Sequence, residues 1–277
     1  MTINCKGKLI DFSSPKVMGV LNITPDSFYD GGYYKNEKEL LSQTEKMLLE
    51  GATFIDIGAY SSKPGASHIS EEEELQRILP VVAAIIKEFP ETIISIDTFR
   101  STIAKETVAI GAALINDISG GTLDEKMFET VAKLQVPYIL MHMKGTPQNM
   151  QKNPTYGNIT TELISFFAEQ IFKLHQLHHK DVVIDVGFGF GKTLEHNYQL
   201  LKDLSLFKNL DVPVLAGISR KSMLYKPLDI SAKEALNATT AANTIALLNG
   251  ANILRVHDVK EAVEAINIVN LLNQAKN

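Results

Sequence analysis

The chain has 277 residues, 45% of them apolar, with a net charge of −5 and a pI near 5.8. It is long enough to bury a full core as one large domain or two small ones, and without a Lys/Arg run it argues against a nucleic-acid partner or an anionic membrane surface. The lone Cys5 excludes an intrachain disulfide and suits a reducing compartment, and no stretch approaches the ~18 uninterrupted apolar residues of a membrane helix, so a soluble cytoplasmic protein is expected.

In chain order, Ile3 to Phe12 alternates as a hairpin does, which places a short N-terminal β-hairpin within residues 1–15. Eight β-rich runs follow: Val17–Leu21, Phe54–Gly58, Ile93–Asp97, Ala113–Asp117, Tyr138–His142, Val182–Asp185, Val212–Ile218 and Asn252–His257. Helical periodicity covers Glu37–Glu50, Glu71–Glu88, Ser101–Ile110, Glu125–Leu134, Thr160–His178, Glu195–Phe207, Ala232–Asn249 and Val259–Gln274. The repeat averages about 32 residues, the size of a βα unit with its right-handed crossover. Eight units of this kind close a (β/α)8 TIM barrel. The alternative, a doubly wound open sheet, has fewer strands and a Gly-rich first turn, where this chain has Pro25-Asp26-Ser27-Phe28. No linker or low-complexity tract divides the chain, so residues 1–277 read as a single domain.

Barrel active sites sit at the C-terminal strand ends, and inward positions alternate with outward ones along each strand. Polar residues collect at those ends: Asn22, Asp97, Asn116, His142, Asp185, Ser219-Arg220-Lys221, and Arg255 with His257. Arg255 and His257 share a parity, as do Ser95 with Asp97 and Val183 with Asp185. One polar strand end is ordinarily a helix cap; this many at one mouth require a ligand or a network to offset their desolvation. Arg255, His257 and Asn22 form a cationic, donor-rich corner that suits phosphate or diphosphate, with an Asn22 carbonyl oxygen available to Mg²⁺. Asp97, Asn116 and Asp185 suit the N–H edge of a flat heterocycle, with Lys221 for a ring carbonyl and Arg255 for the ring face. The plainer alternative is an ion pair of Asp97 or Asp185 with Arg255 or Lys221 and nothing more.

The run "GFGFGKT" (Gly187–Thr193) is not a Walker A loop, because Val186 stands where that motif needs glycine and the run follows the sixth strand. A Gly-rich loop after Asp185 instead brings backbone and Phe190 close to a planar ligand. Met141 and Met143 read as pocket lining or core, and His175, His178 and His179 as a solvated helix end.

The ordered blocks "NITPDSFYDGG", "SSKPGA", "SIDT", "NDISGG", "MHMKGTPQNMQ", "DVGFGFGK", "GISRKSM" and "LRVHDV" resemble the dihydropteroate synthase family over residues 15–260. The resemblance implies a transferase of folate (tetrahydrofolate) biosynthesis and a sulfonamide target. Its reaction condenses 7,8-dihydropterin-6-ylmethyl diphosphate with p-aminobenzoate, yielding 7,8-dihydropteroate and diphosphate, with Mg²⁺ as cofactor and a homodimer as the assembly. By motif it assigns Asp97, Asn116, Asp185, Lys221 and Arg255 to the pterin. Asn22, Arg255 and His257 go to diphosphate and the metal, and Phe28, Asp30, Ser62, Lys63, Pro64, Phe190 and Ser222 to the aminobenzoate and the new bond. It also implies a dissociative substitution, in which diphosphate leaves before the amine attacks. The 22–34 loop then reads as a lid that excludes water, with Phe28 and Asp30 at the reacting centre.

Lys63 departs from the usual Thr-Arg-Pro-Gly block and lacks arginine's bidentate fork. A raised KM for p-aminobenzoate is expected, which Lys63→Arg lowers. The competing readings are a pterin-binding methyltransferase, a Schiff-base aldolase using Lys221, and a catalytically inactive pterin-binding paralogue.

Overall fold

The computed structural model describes residues 1–23, 33–61, 68–147, 149–150 and 154–275. An antiparallel hairpin opens the chain, β1 (Thr2–Cys5) with β2 (Lys8–Asp11), and Ile3 pairs with Ile10. Its turn places Lys6 at φ 52° and Gly7 at φ 88°, the twist that matches two flanking strands. Eight strands follow: β3 (Lys16–Asn22), β4 (Phe54–Gly58), β5 (Ile93–Asp97), β6 (Leu114–Asp117), β7 (Tyr138–Met141), β8 (Val182–Asp185), β9 (Val214–Ala216) and β10 (Ile253–Val256). They pair in parallel and close on themselves, β10 lying between β9 and β3.

Among the described residues the outer ring is α1 (Tyr33–Leu49), α2 (Glu71–Glu88), α3 (Ser101–Ala109), α4 (Met127–Leu134), α5 (Ile159–Gln176), α6 (Leu194–Lys202), the short α7 (Ser222–Tyr225), α8 (Leu236–Leu248) and α9 (Val259–Gln274). The predicted barrel is observed, and closure removes the open-sheet alternative. No helix among the described residues is long and apolar enough to cross a membrane.

Two predicted helices are each broken by local chemistry. The one expected over 195–207 ends at Asp203, whose carboxylate accepts from Thr160 Oγ1 and whose ψ of 7° leaves the helix; a 3₁₀ turn, Leu204–Leu210, follows. The one expected over 232–249 begins as a separate 3₁₀ turn, Ala232–Glu234, closed by a Ser231/Glu234 capping box. The seventh barrel strand, expected over 212–218, is shortened to Val214–Ala216 after Pro213, which has no N–H for the ladder.

Strand register stacks the barrel interior in layers. Met18, Phe54, Ile93, Leu114, Ile139, Val183, Leu215 and Ile253 form an apolar floor, on which Ile3, Cys5, Ile10 and Phe12 of the hairpin pack. The hairpin therefore plugs the N-terminal mouth of the barrel. Each fully buried aliphatic or aromatic side chain of this kind contributes about 1.5–3 kcal/mol. Two residues further along the same strands, the inward positions are Val20, Asp56, Ser95, Asn116, Met141, Asp185, Gly217 and Arg255. The interior thus changes from apolar to polar in one step toward the C-terminal mouth.

Candidate active site

The polar layer is a hydrogen-bonded network centred on Asp56, which has 0% exposure. Its Oδ1 accepts from Ser95 Oγ at 2.5 Å, and its Oδ2 accepts from Asn116 Nδ2 at 3.0 Å and Arg255 Nε at 2.6 Å. The same guanidinium reaches Asp97 Oδ2 through Nη2 at 2.7 Å. Arg255 thus spans two carboxylates from the opposite side of the barrel. Burial opposes its charge, but Asp56 and Asp97 hold the guanidinium protonated and raise its pKa above the ordinary value. Burial pushes the Asp97 carboxyl up to about 7 against the pull of Arg255, with Asp56 adding to the rise. The Asn116 amide gives one of its two N–H groups to Asp56, which leaves the other N–H and Oδ1 for a ligand.

Asp185 closes the other side of the pocket. It is buried and accepts from Gly187 N at 2.7 Å; burial raises its pKa, with Lys221 opposing. Lys221 Nζ donates to Phe188 O at 2.6 Å and sits 4.8 Å from the Phe190 ring centroid. Burial lowers its pKa to about 8, against the pull of Asp185. A Cβ placed on Gly217 would lie 3.6 Å from Asp185 Oδ2, 3.8 Å from Lys221 Nζ and 3.9 Å from Arg255 Cβ, so these three groups converge on one glycine. Ser222 follows Lys221 directly as the first residue of α7.

At the rim, His257 N donates to Ser219 Oγ at 3.2 Å, and that hydroxyl lies 3.1 Å from His257 Nδ1. With Nδ1 engaged by Ser219, Nε2 is the ring nitrogen left for a ligand. The residue is exposed at the mouth, but packing of protein around its ring, then Arg255, lowers the His257 pKa to about 4. The cation of the corner is Arg255, therefore, and His257 is a neutral imidazole. The residue between Ser219 and Lys221 faces elsewhere: Arg220, at φ 54°, pairs bidentately with Asp258 at 2.8 and 2.9 Å and donates to Ala232 O. It clamps the loops after β9 and β10 rather than lining the pocket.

Other expectations are redrawn. His142, expected with the inward polar ends, lies one residue past Met141, the inward partner of Asp185, and takes the opposite parity. Its ring packs 5.0 Å from Phe166 of α5 and near Tyr156, and burial followed by Lys192 drops its pKa to about 3. The plain ion pair holds for Asp97 with Arg255; Asp185 instead bonds to backbone. Asp56 is not a strand-end residue, since it stands two residues before the end of β4; its signal in the sequence is an acid inside the apolar run "FIDIG". Phe28, Asp30, Ser62, Lys63 and Pro64 lie outside the described residues.

Asn22 ends β3 with its side chain exposed at the mouth. Among the described residues no group of three His, Cys, Asp or Glu stands together to hold a metal ion. One neutral amide oxygen fits Mg²⁺ carried largely by substrate phosphate oxygens, and not a closed protein cage.

The pterin binding enzyme family profile matches residues 18–257. Dihydropteroate synthase of Escherichia coli K12 is 43% identical over 279 residues, covering 100% of this chain and 98% of that protein. Among solved structures, the Yersinia pestis dihydropteroate synthase in a sulfonamide drug complex superposes with a TM-score of 0.92 at 43% identity, covering 99% of this chain and 100% of that one. The Xanthomonas albilineans enzyme in complex with 7,8-dihydropteroate superposes with a TM-score of 0.89 at 33% identity, with full coverage of both chains.

Proposed function

We infer that this chain, which belongs to the dihydropteroate synthase family of pterin binding enzymes, joins 7,8-dihydropterin-6-ylmethyl diphosphate to p-aminobenzoate, releasing diphosphate and forming 7,8-dihydropteroate. The observation that carries the site assignment is the convergence of Asp97, Asn116, Asp185, Lys221 and Arg255 at one mouth of the barrel, above an apolar floor. The buried carboxylates accept from the amino and ring N–H groups of the pterin, and Lys221 donates to its carbonyl in place of Phe188 O. Held by Asp56 and Asp97, the Arg255 guanidinium covers the ring and faces the diphosphate. His257 adds an uncharged imidazole nitrogen at the rim, oriented by Ser219.

The Asn22 amide oxygen would hold Mg²⁺, which when bound with diphosphate neutralises charge on the leaving group. Dissociative departure of diphosphate, with the 22–34 and 60–70 loops shielding the centre from water, is supported by the family resemblance of those sequence blocks. Cys5, free and buried, is consistent with a cytoplasmic protein.

A homodimer is supported by α8 and α9, which pack together while Ile245, Leu248, Ile268, Leu271 and Leu272 remain exposed.

The test is calorimetric titration of the protein with a dihydropterin diphosphate in Mg²⁺, followed by p-aminobenzoate. Binding, then stoichiometric diphosphate release into solution on addition of the amine, is the expected result. Binding without release identifies an inactive pterin-binding protein. Reductive trapping of Lys221 with a carbonyl substrate and borohydride would replace this reading with aldolase chemistry.

A further inference from the structure

The turn Gly187–Gly191 is held from several sides at once. Gly187 N donates to Asp185 Oδ1 and Gly189 N to Asn197 Oδ1, each at 2.7 Å. Lys221 takes the Phe188 carbonyl at 2.6 Å, and Tyr156 Oη takes that of Gly191 at 2.8 Å. The Phe190 carbonyl goes to Lys192 Nζ at 2.9 Å. This side chain is only 4% exposed, and its nitrogen also lies 3.1 Å from His142 O and 3.2 Å from His142 Nδ1. An ammonium has three N–H groups, and here three acceptors on two loops meet them.

We infer that Lys192 is a positioning residue for the reaction: it ties the turn after β8 to the loop after β7 and so fixes the Phe190 ring beside Lys221. Lys192 is the lysine of the phosphate-loop-like string, yet all three of its hydrogen bonds are directed at protein, which denies it a phosphate role. A lysine is the costly choice at such a depth; burial lowers its pKa to about 7. An apolar side chain of similar length would fill the space but would release the Phe190 carbonyl and both His142 acceptors.

The functional consequence rests on the assignment of Phe190 to the aminobenzoate side of the pocket. In Lys192→Met, the KM for p-aminobenzoate should rise about tenfold and more than that for the pterin diphosphate, since loss of positioning falls first on the substrate that touches Phe190. Phe190→Ala alone should raise the aminobenzoate KM, and adding Lys192→Met to it should then add little. Independently, 4-fluorophenylalanine at position 190 should show one narrow fluorine resonance in the parent and a shifted or broadened one in Lys192→Met. If Lys192→Met does not fold, Lys192→Gln is carried through the same measurements.

An unchanged resonance overturns the inference. So does an equal rise in both KM values, or the same factor in the parent and the Phe190→Ala background. A changed resonance with an aminobenzoate KM indifferent to Phe190→Ala leaves the brace standing and removes only the assignment of Phe190.

Discussion

Asp56 accepts three hydrogen bonds at a depth that water does not reach. Removing its charge leaves the Arg255 guanidinium inside the barrel with Asp97 alone, and one-sided loss from a buried pair is costly. Asp56→Asn is therefore expected to lower stability by about 3 kcal/mol in urea unfolding and to reduce kcat/KM by about 10²-fold in steady-state assays. Lys221 offers a second measurement. An unfolded lysine keeps its proton to its ordinary pKa of 10.5, whereas the folded one loses it at about 8. Between those values the unfolded chain binds more protons, so this group makes stability rise as pH rises. The unfolding free energy of the parent minus that of Lys221→Met should climb by about 1 kcal/mol per pH unit across that window, read from urea curves at successive pH values.

The decisive element is the turn after β8. Gly187 stands at φ 68°, and a Cβ there would lie 2.1 Å from the His142 carbonyl oxygen, a backbone atom that cannot yield as a side chain would. Gly191, at φ 60°, would meet Lys144 O at 2.7 Å. The glycines of "GFGFG" thus serve close approach between two loops as well as backbone conformation. Gly187→Ala should cost about 2–4 kcal/mol in chemical denaturation and raise the aminobenzoate KM more than the pterin KM. At this scale much was legible: β-rich apolar runs alternating with segments of helical period located every barrel strand, because composition and helix period are local properties. Strand-end composition found Asp97, Asn116, Asp185 and Arg255, but overshot at His142, where the strand ended one residue early and parity turned the ring outward.

For the whole molecule, the hairpin closes one end of the barrel and leaves the opposite mouth for chemistry. The α8–α9 face is where assembly is expected. Replacing Ile268 and Leu272 together by Glu should convert a dimer in sedimentation velocity to a monomer that keeps its helical circular dichroism. A parent that sediments as a monomer would remove the dimer from the proposal.

Periodicity and polar strand ends by themselves determined the number of βα units, the polar mouth of the barrel and most of the charged and amide groups gathered there. Those signals depend only on neighbours along the chain. Tertiary structure alone decided that Asp56 enters the site, that Arg255 bridges two carboxylates, that Arg220 turns away, and that Lys192 holds protein in place of phosphate. Each of these depends on the height at which a residue sits once the strands tilt and stagger around a closed barrel, and on contacts across it that no local pattern encodes.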